Sequence, residues 1–321
     1  MNPRLFLSWL LVLTTASAFG QQPQSPAASV SAASVQERLG YSASSRLLII
    51  HADDLGMSHA VNRATLEALE KGWVTSAAIL VPCPWFPAVV SWAKQHPDAD
   101  LGIHLALNSE WTTYRWGPVS ATSQVRTLLD EQGYLPLLET AVVQRASLAE
   151  AEVELRAQIE RARDAGIPLS HLDTHMTTLT QSPGLFDLYH RLGRAYQLPV
   201  LLERTPGPYN SPHALIDRVM SIDVGVEPTK KEWLKAYKKM LEPLPAGVYQ
   251  LIVHTAYEDP EMQAATFDHP NWGAKWRQLD LEVVSSDDFR KFLKDQGFIL
   301  VRWKDLKRAM PEAAPATAAA R

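Results

Sequence analysis

The stretch 47-LLIIHADDLGMSHAVNRA-64 decides how the first unit of the fold is built. Its apolar start, Leu47–Ile50, is typical of a buried strand, and the residues after Ser58 have the spacing of a helix with Ser58 as its N-cap. Between the two elements stand His51, Asp53 and Asp54. Because the apolar run leads directly to the two aspartates, we expect them at a strand end beside the core. We interpret the pair as functional; the alternative is that Asp54 only precedes the helix.

Short apolar segments and helical segments alternate along the rest of the chain. The predicted strands are Leu47–Ala52, Ser76–Val81, Leu101–Leu107, Leu169–Asp173, Val200–Glu203, Val248–His254 and Phe298–Val301. The predicted helices are 58–71, 85–95, 147–165, 183–197, 230–241 and 286–296. This alternation predicts parallel strands with right-handed crossovers, and the lack of a Gly-x-Gly-x-x-Gly loop after the first strand favours a barrel over a dinucleotide-binding sheet. The sequence therefore predicts a single α/β domain, a (β/α) barrel, with long irregular loops over 108–146, 204–229 and 255–285.

The composition of the 321-residue chain is that of an ordinary soluble globular protein. Hydrophobic residues make up 46% and charged residues 21%, which is enough for a substantial core. The net charge of −4, without a basic face, argues against nucleic acid as a partner. The single cysteine, Cys83, excludes an internal disulfide and a cysteine-based zinc site.

The N-terminal residues have the pattern of a secretory signal peptide. Arg4 precedes the apolar run Leu5–Leu13, and Ala16-Ser17-Ala18 supplies the small residues of a cleavage site. An uncleaved membrane anchor is the alternative, but the run is too short to span a bilayer comfortably. We therefore predict export to the periplasm or the medium, without stable membrane insertion. The predicted domain plan is a signal peptide over 1–20, a flexible linker over 21–45, one folded domain over 46–308 and a disordered Ala/Pro tail over 309–321.

Polar residues that suit a metal site stand at the ends of four predicted strands. They are His51, Asp53 and Asp54 on the first strand, His104 on the third, His171, Asp173 and His175 on the fourth, and His254 on the sixth. In a (β/α) barrel these strand ends form one rim, where active sites lie. Carboxylates and neutral imidazoles suit a divalent ion such as Zn²⁺, Co²⁺ or Ni²⁺. One aspartate can then bind the ion while its neighbour takes a proton from water.

Several of these residues allow more than one interpretation. On the fourth strand the period of two puts His171 and His175 on one face, so both are candidate ligands. The remaining histidines, in predicted helices and loops, are interpreted as ordinary surface or core residues. Four tryptophans of the long loops could either pack into the core or stack on sugar rings, and both interpretations stay open. They are Trp111, Trp116, Trp272 and Trp276.

An ordered set of motifs resembles the YdjC-like (ChbG/HpnK) carbohydrate deacetylases, which are related to the polysaccharide deacetylases. The matching pieces are 51-HADDLGMSHAVN-62, 101-LGIHLAL-107, 170-SHLDTHMTT-178, 251-LIVHTAYED-259 and a closing segment over 274–306. The resemblance extends from Leu47 to Leu306. Any one motif is weak evidence, whereas the set in this order is specific.

The resemblance implies an irregular TIM-like barrel and the metal-dependent removal of an N-acetyl group from an amino sugar or oligosaccharide. Asp53 stands where the family has its catalytic base. Asp54, His104 and His175 stand where it has the ligands of one divalent ion, which could be Zn²⁺, Co²⁺, Ni²⁺ or Mg²⁺. His254 lies in the segment that supplies a further active-site histidine, and we interpret it as the acid that protonates the leaving amine.

Other functions compete with this interpretation. The chain departs from the family pattern at Thr177 and Leu179, where many members have histidines, and this difference bears on substrate contacts. One alternative is a sugar-binding protein of the same fold that has lost catalysis, although a binding protein does not need the full set of polar residues. Another is a metal-dependent hydrolase of a different amide or ester. Whether the chain forms a homo-oligomer stays open.

Overall fold

Strand β1 (Arg46–Leu55) lies at the centre of a parallel sheet of seven strands. The others are β2 (Ser76–Ile79), β3 (Leu101–Leu105), β4 (Leu169–Thr174), β5 (Arg218–Met220), β6 (Gly247–Val253) and β7 (Phe298–Leu300). The order across the sheet is β4-β3-β2-β1-β6-β5. Strand β7 pairs with the start of β1, and β2 pairs with β1 from His51 onward.

Two isolated bridges carry the pairing from β4 towards β5. Leu172 pairs with Val200, and Glu203 pairs with Ile216, which lies just before β5. The strand predicted over Val200–Glu203 is thus reduced to these two bridges. Because they link the edge strands, the sheet curls round on itself, and the predicted irregular TIM-like (β/α) barrel is confirmed.

Helices surround this sheet. They are α1 (Val35–Arg38), α2 (His59–Glu70), α3 (Phe86–Ala93), α4 (Glu139–Arg145), α5 (Leu148–Asp164), α6 (Pro183–Tyr196), α7 (Lys230–Leu241), α8 (Pro260–Ala265), α9 (Ala274–Val284), α10 (Asp287–Asp295) and α11 (Trp303–Lys307). The six predicted helices are confirmed with ends that shift by at most two residues. Ser58 caps α2 as predicted, since its side chain accepts a hydrogen bond from the Val61 backbone N–H.

Parts of the segments predicted to be irregular are ordered. Helices α4, α8 and α9 and strand β5 all lie within them. Strand β5 and helices α4 and α8 are only three, seven and six residues long, too short to show a clear hydrophobic period. Helix α9 is buried on most sides, so its sequence lacks the one-sided apolar pattern of a surface helix.

The computed structural model describes residues 33–204, 211, 214–222 and 225–310. The predicted signal peptide, residues 21–32 of the predicted linker and residues 311–321 of the predicted tail lie outside these residues. In the described end of the linker, helix α1 is capped by Ser34, and Val35 packs in an apolar cluster with Leu47 and Trp303. The structure therefore differs from a flexible linker at this point, because Val35 has apolar partners. None of the described helices is long and apolar enough to cross a membrane.

Alternate residues of β1 belong to two different apolar clusters. Leu48 and Ile50 pack in the larger one, which includes many helix residues, whereas Leu47 and Ile49 pack in the smaller one with Trp303. A strand buried on both faces is expected in a parallel barrel. By the period of two, His51 continues the face of Leu47 and Ile49. The polar residues of the rim therefore lie above the smaller apolar cluster, which contains Leu47, Ile49 and Trp303 and lies inside the barrel.

Candidate active site

Asp53 and Asp54 turn towards the same histidine although they are neighbours on β1. Their carboxylate oxygens lie 3.8 and 3.6 Å from His104 Nε2. Adjacent strand residues normally point to opposite faces. Asp54, however, has φ 66°, and the pairing of β1 with β2 is irregular between Ala52 and Leu55. This left-handed residue breaks the alternation, so both carboxylates address one site.

Asp54, His104 and His175 form one of three buried groups with the spacing of metal ligands among the described residues. The other two are His51, His171 and Asp173, and Asp53, His104 and Asp173. Asp54 Oδ1 lies 3.6 Å from His104 Nε2 and 3.4 Å from His175 Nδ1. A tetrahedral ion with bonds of about 2.1 Å has ligand atoms roughly 3.4 Å apart. The structure therefore brings the three predicted ligands together at a separation that suits one divalent ion.

Two further residues hold these side chains. Arg277 Nη2 donates to Asp54 Oδ2 at 2.7 Å, and His175 Nε2 lies 2.7 Å from Glu110 Oε2. Burial alone would raise the pKa of Asp54, but the Arg277 charge and His175 hold it well below its usual range. Burial alone would lower the pKa of His175, but the Glu110 charge and the hydrogen bonds to Asp54 and Glu110 raise it to about 10. Because Glu110 bonds Nε2, Nδ1 is the atom that would face an ion, which would take the place of the Nδ1 proton. Carboxylates that bond the second nitrogen of a ligand histidine are typical of metal sites.

His51 lies between Asp53 and Asp173 in the barrel interior. Its Nε2 is 3.2 Å from Asp53 Oδ1 and 3.3 Å from Asp173 Oδ2. Burial alone would lower the pKa of His51, but the two nearby carboxylates of Asp173 and Asp53 outweigh burial and raise the pKa to about 9. His51 is therefore a cation at neutral pH and fixes Asp53 from the side away from His104.

His171, the rival ligand, lies apart from the group of Asp54, His104 and His175. Its ring stacks on Trp303 at 4.9 Å, and its Nδ1 is 2.8 Å from Ser170 Oγ. A Cβ at Gly102 would lie 2.3 Å from the His171 ring, so this ring fills the space that the glycine of β3 leaves. Burial lowers its pKa, so it is neutral. His171 and His175 lie apart because His175 follows the end of β4. His171 lies deeper in the barrel, against Trp303 of the smaller apolar cluster.

His254 stands at the end of β6, beside Asp53. Its Nε2 lies 3.9 Å from Asp53 Oδ2, and its backbone N–H donates to Asp280 Oδ2 at 2.7 Å. Asp280 is itself fixed by Trp233, whose Nε1 donates to Oδ1. Burial is the largest influence on His254 and lowers its pKa, so the side chain is mainly neutral at pH 7.

Most loop tryptophans pack inside the protein. Trp111, Trp116 and Trp276 are buried, and Trp116 Nε1 donates to the Asn108 carbonyl. For these three the core interpretation holds. Trp272 differs, since 36% of it is exposed.

Buried polar atoms without a hydrogen-bond partner concentrate in this site. Among the described residues they include His51 Nδ1 and Nε2, Asp53 Oδ1, Asp54 Oδ1, His104 Nδ1, His171 Nε2 and Asp173 Oδ2. Buried polar groups are normally paired, so such a concentration needs a reason. Asp54 Oδ1 faces both His104 and His175 without a hydrogen bond to either. A cation between them would satisfy this oxygen, and the donor set therefore fits a divalent metal ion.

Three residues of the site were missed in the sequence: Glu110, Arg277 and Asp280. Glu110 follows β3 in a long loop, and no spacing links it to His175. Arg277 and Asp280 lie on α9, where both are buried. No pattern in the sequence separates these two from the other charged residues of α9, Lys275 and Glu282, so their burial could not be predicted.

Comparison with known proteins matches the chain to one family over most of its length. The model of the family described as YdjC-like protein matches residues 47–295. A carbohydrate deacetylase of Thermus thermophilus is 33% identical over 287 residues, which cover 85% of this chain and 98% of that protein. A carbohydrate deacetylase of Thermoanaerobacter pseudethanolicus is 25% identical, over 82% of this chain and 100% of that protein.

A solved structure shares the fold. It is that of a candidate cellobiose-phosphate cleavage protein from Enterococcus faecalis, with a TM-score of 0.70 and 24% identity. The match covers 82% of this chain and 99% of that one. At this level of identity the likeness shows the barrel architecture alone.

Proposed function

The chain belongs to the YdjC-like family, and from that premise we propose that it is a metal-dependent hydrolase that removes N-acetyl groups from an amino sugar or its oligosaccharide. The observation that carries the proposal is the buried group of Asp54, His104 and His175 with a second carboxylate, Asp53, directly beside it. An ion-binding group with a free base next to it suits hydrolysis of an amide by water. The curated relatives named carbohydrate deacetylase support the same reaction and a carbohydrate substrate.

Asp54 Oδ1, His104 Nε2 and His175 Nδ1 are the atoms that would hold the ion. When bound, a divalent ion supplies positive charge that polarises the acetyl carbonyl and makes water more acidic. Arg277 and Glu110 orient Asp54 and His175 for this role, because each bonds the atom that faces away from the ion.

Asp53 is the general base. His51 fixes its Oδ1, while its Oδ2 points towards His104 and His254. Asp53 takes a proton from a water molecule, and the water oxygen bonds to the acetyl carbonyl carbon. Asp53 is not among the three ion-binding residues, so it keeps a carboxylate oxygen for this proton.

His254 returns the proton to the leaving nitrogen. Because burial lowers its pKa, His254 is neutral before the reaction, and the proton that it donates is the one that Asp53 took from water. The C–N bond breaks as the nitrogen is protonated, which gives acetate and a free amine. His254 therefore first accepts the proton from Asp53 and then donates it to the leaving nitrogen.

Acetate release from acetylated sugars tests this function. The purified protein is incubated with N-acetylglucosamine, N-acetylgalactosamine and N,N′-diacetylchitobiose, and acetate is measured with the protein as prepared, after treatment with a chelator and after addition of single divalent metals. We expect release from at least one sugar, its loss with chelator and its return with one metal. Full activity of protein shown to be free of metal would refute metal dependence. Release only from acetylated amines that lack a sugar would refute the substrate class.

A further inference from the structure

We propose that Trp272 is a binding platform on which a pyranose ring of the substrate stacks beside the metal group. This inference rests on the proposed function, since it names how that site holds its sugar. It assigns a role to one residue of the loop between α8 and α9, and it separates Trp272 from the three tryptophans that pack in the interior.

The exposure and packing of Trp272 suit such a platform. One ring neighbour is Trp276, at a centroid distance of 5.1 Å and an interplanar angle of 30°. Trp276 is buried and packs edge-on against Trp233 at 4.7 Å. Trp272 is thus backed by rigid aromatic packing while about a third of it stays in contact with solvent. Flat aromatic surfaces of this kind suit the C–H face of a sugar ring, with its hydroxyls directed outward.

The backbone at Trp272 is held in an unfavourable conformation. Its φ is 58°, in the left-handed region that bulky side chains avoid. Of the five described non-glycine residues with positive φ, Asp54 lies near the end of β1, Met176 and Thr177 follow β4, and Trp272 lies in the loop between α8 and α9. The fifth, Gln197, ends helix α6. Strain of this kind persists only where the surroundings fix it, and it clusters at ligand sites.

Arg277 fixes Trp272 relative to the metal group. Its Nε donates to the Trp272 carbonyl at 2.6 Å, while its Nη2 donates to Asp54 Oδ2 at 2.7 Å. One planar guanidinium therefore joins the loop backbone to an ion-binding carboxylate. The next residue, Gly273, has no space for a side chain, because a Cβ would lie 2.2 Å from the His269 carbonyl oxygen. The loop thus has one tight conformation, with the Trp272 backbone a single guanidinium away from Asp54.

Sugar binding measured apart from turnover tests the proposal. In an Asp53→Asn background loaded with Zn²⁺, isothermal titration gives the Kd of N-acetylglucosamine and N,N′-diacetylchitobiose. We expect Trp272→Ala to weaken binding of the better ligand about tenfold or more, and Trp272→Phe, which keeps a ring, to lose much less. The matched control is Phe267→Ala, because Phe267 lies in the same loop and is 67% exposed, but has no positive φ. It should leave the Kd unchanged.

Each other outcome overturns the inference. An unchanged Kd for Trp272→Ala would do so, as would an equal loss in Phe267→Ala or failure of the background protein to bind either sugar. The Zn²⁺ affinity of Trp272→Ala must also match the background, since a fall would mean that the residue acts through Arg277 and the ligands. Acetate release by the wild type separates a failure of this inference from a failure of the proposed function. If the wild type deacetylates sugars and Trp272→Ala binds them normally, this inference fails while the proposed function stands.

Discussion

Arg277 and Asp54 are 223 residues apart in the chain and are joined by a buried ion pair of 2.7 Å. The pair occupies Asp54 Oδ2 and leaves Oδ1 facing His104 and His175. It also keeps the Asp54 carboxylate ionised, since burial alone would raise its pKa. Helix α9 therefore orients one residue of the proposed ion-binding group without supplying a ligand itself.

Replacement of Arg277 should weaken metal binding. In Arg277→Gln the buried Asp54 loses the charge that holds its pKa down, so we expect Zn²⁺ affinity to fall by roughly 10–100-fold. Arg277→Lys keeps the charge but loses the guanidinium fork that also bonds Trp272. Its Zn²⁺ affinity should therefore lie between those of the wild type and Arg277→Gln. Competition with a chromophoric chelator gives the affinities, and Arg290→Gln, at a largely exposed ion pair on α10, is the control. Unchanged affinity in Arg277→Gln would show that the pair is only structural.

The two histidines of the fourth motif should differ in metal binding. His175→Ala or His104→Ala removes one of three ligands, and we expect the protein to lose most of its bound ion. His171→Gln should keep it, because His171 lies against Trp303 rather than beside Asp54. Metal content is measured after dialysis against a trace of free Zn²⁺, with circular dichroism to check folding. Full occupancy in His175→Ala together with loss in His171→Gln would reverse the assignment.

The metal-free protein should depend on His51 for stability in a particular pH range. The folded pKa of about 9 exceeds the ordinary value of 6.5, so the contribution of His51 is complete below pH 6.5 and is lost as the pH rises through 9. A shift of this size corresponds to up to about 3 kcal/mol. Urea unfolding of the wild type and His51→Gln from pH 6 to 9.5 measures it. The difference in unfolding free energy should shrink as the pH rises; a constant difference would contradict the assignment of His51 as a cation.

We also predict that the chain is exported and cleaved between Ala18 and Gln21, because Arg4, Leu5–Leu13 and the small residues have the order of a signal peptide. N-terminal sequencing of protein from the periplasm or medium tests this. Ala18→Arg should block cleavage at this site. An intact Met1 on exported wild-type protein would be the contrary result.

The sequence predicted which residues meet at the rim, because strand ends are local features. A run of apolar residues locates the end of β1, and parallel strands bring Asp54, His104 and His175 to one rim whatever the details of the loops. Glu110 and Arg277 could not be found in this way. Each reaches its partner from a long loop or from a helix buried on most sides, and no periodicity relates positions so far apart.

Backbone detail was equally beyond the sequence pattern. Nothing in the residues around Asp54 indicates a left-handed φ, yet this conformation lets two adjacent aspartates share one site. The period of two predicted that His171 and His175 share a face, but β4 ends at Thr174 and the chain turns before the next strand position. Beyond the end of a strand the period of two no longer applies, and tertiary contacts decide where a side chain lies.

The most direct test of the mechanism is the turnover of Asp53→Asn saturated with metal, on an acetylated sugar that the wild type deacetylates. If Asp53 is the general base, kcat of Asp53→Asn should be roughly 10²–10⁴-fold lower than that of the wild type, while the variant keeps its fold and its Zn²⁺ affinity. Asp287→Asn, at an exposed carboxylate of α10, is the matched control and should turn over normally. A loss of kcat that excess metal does not restore is the predicted result; near-normal turnover of the metal-saturated variant would contradict the assignment of Asp53 as the base.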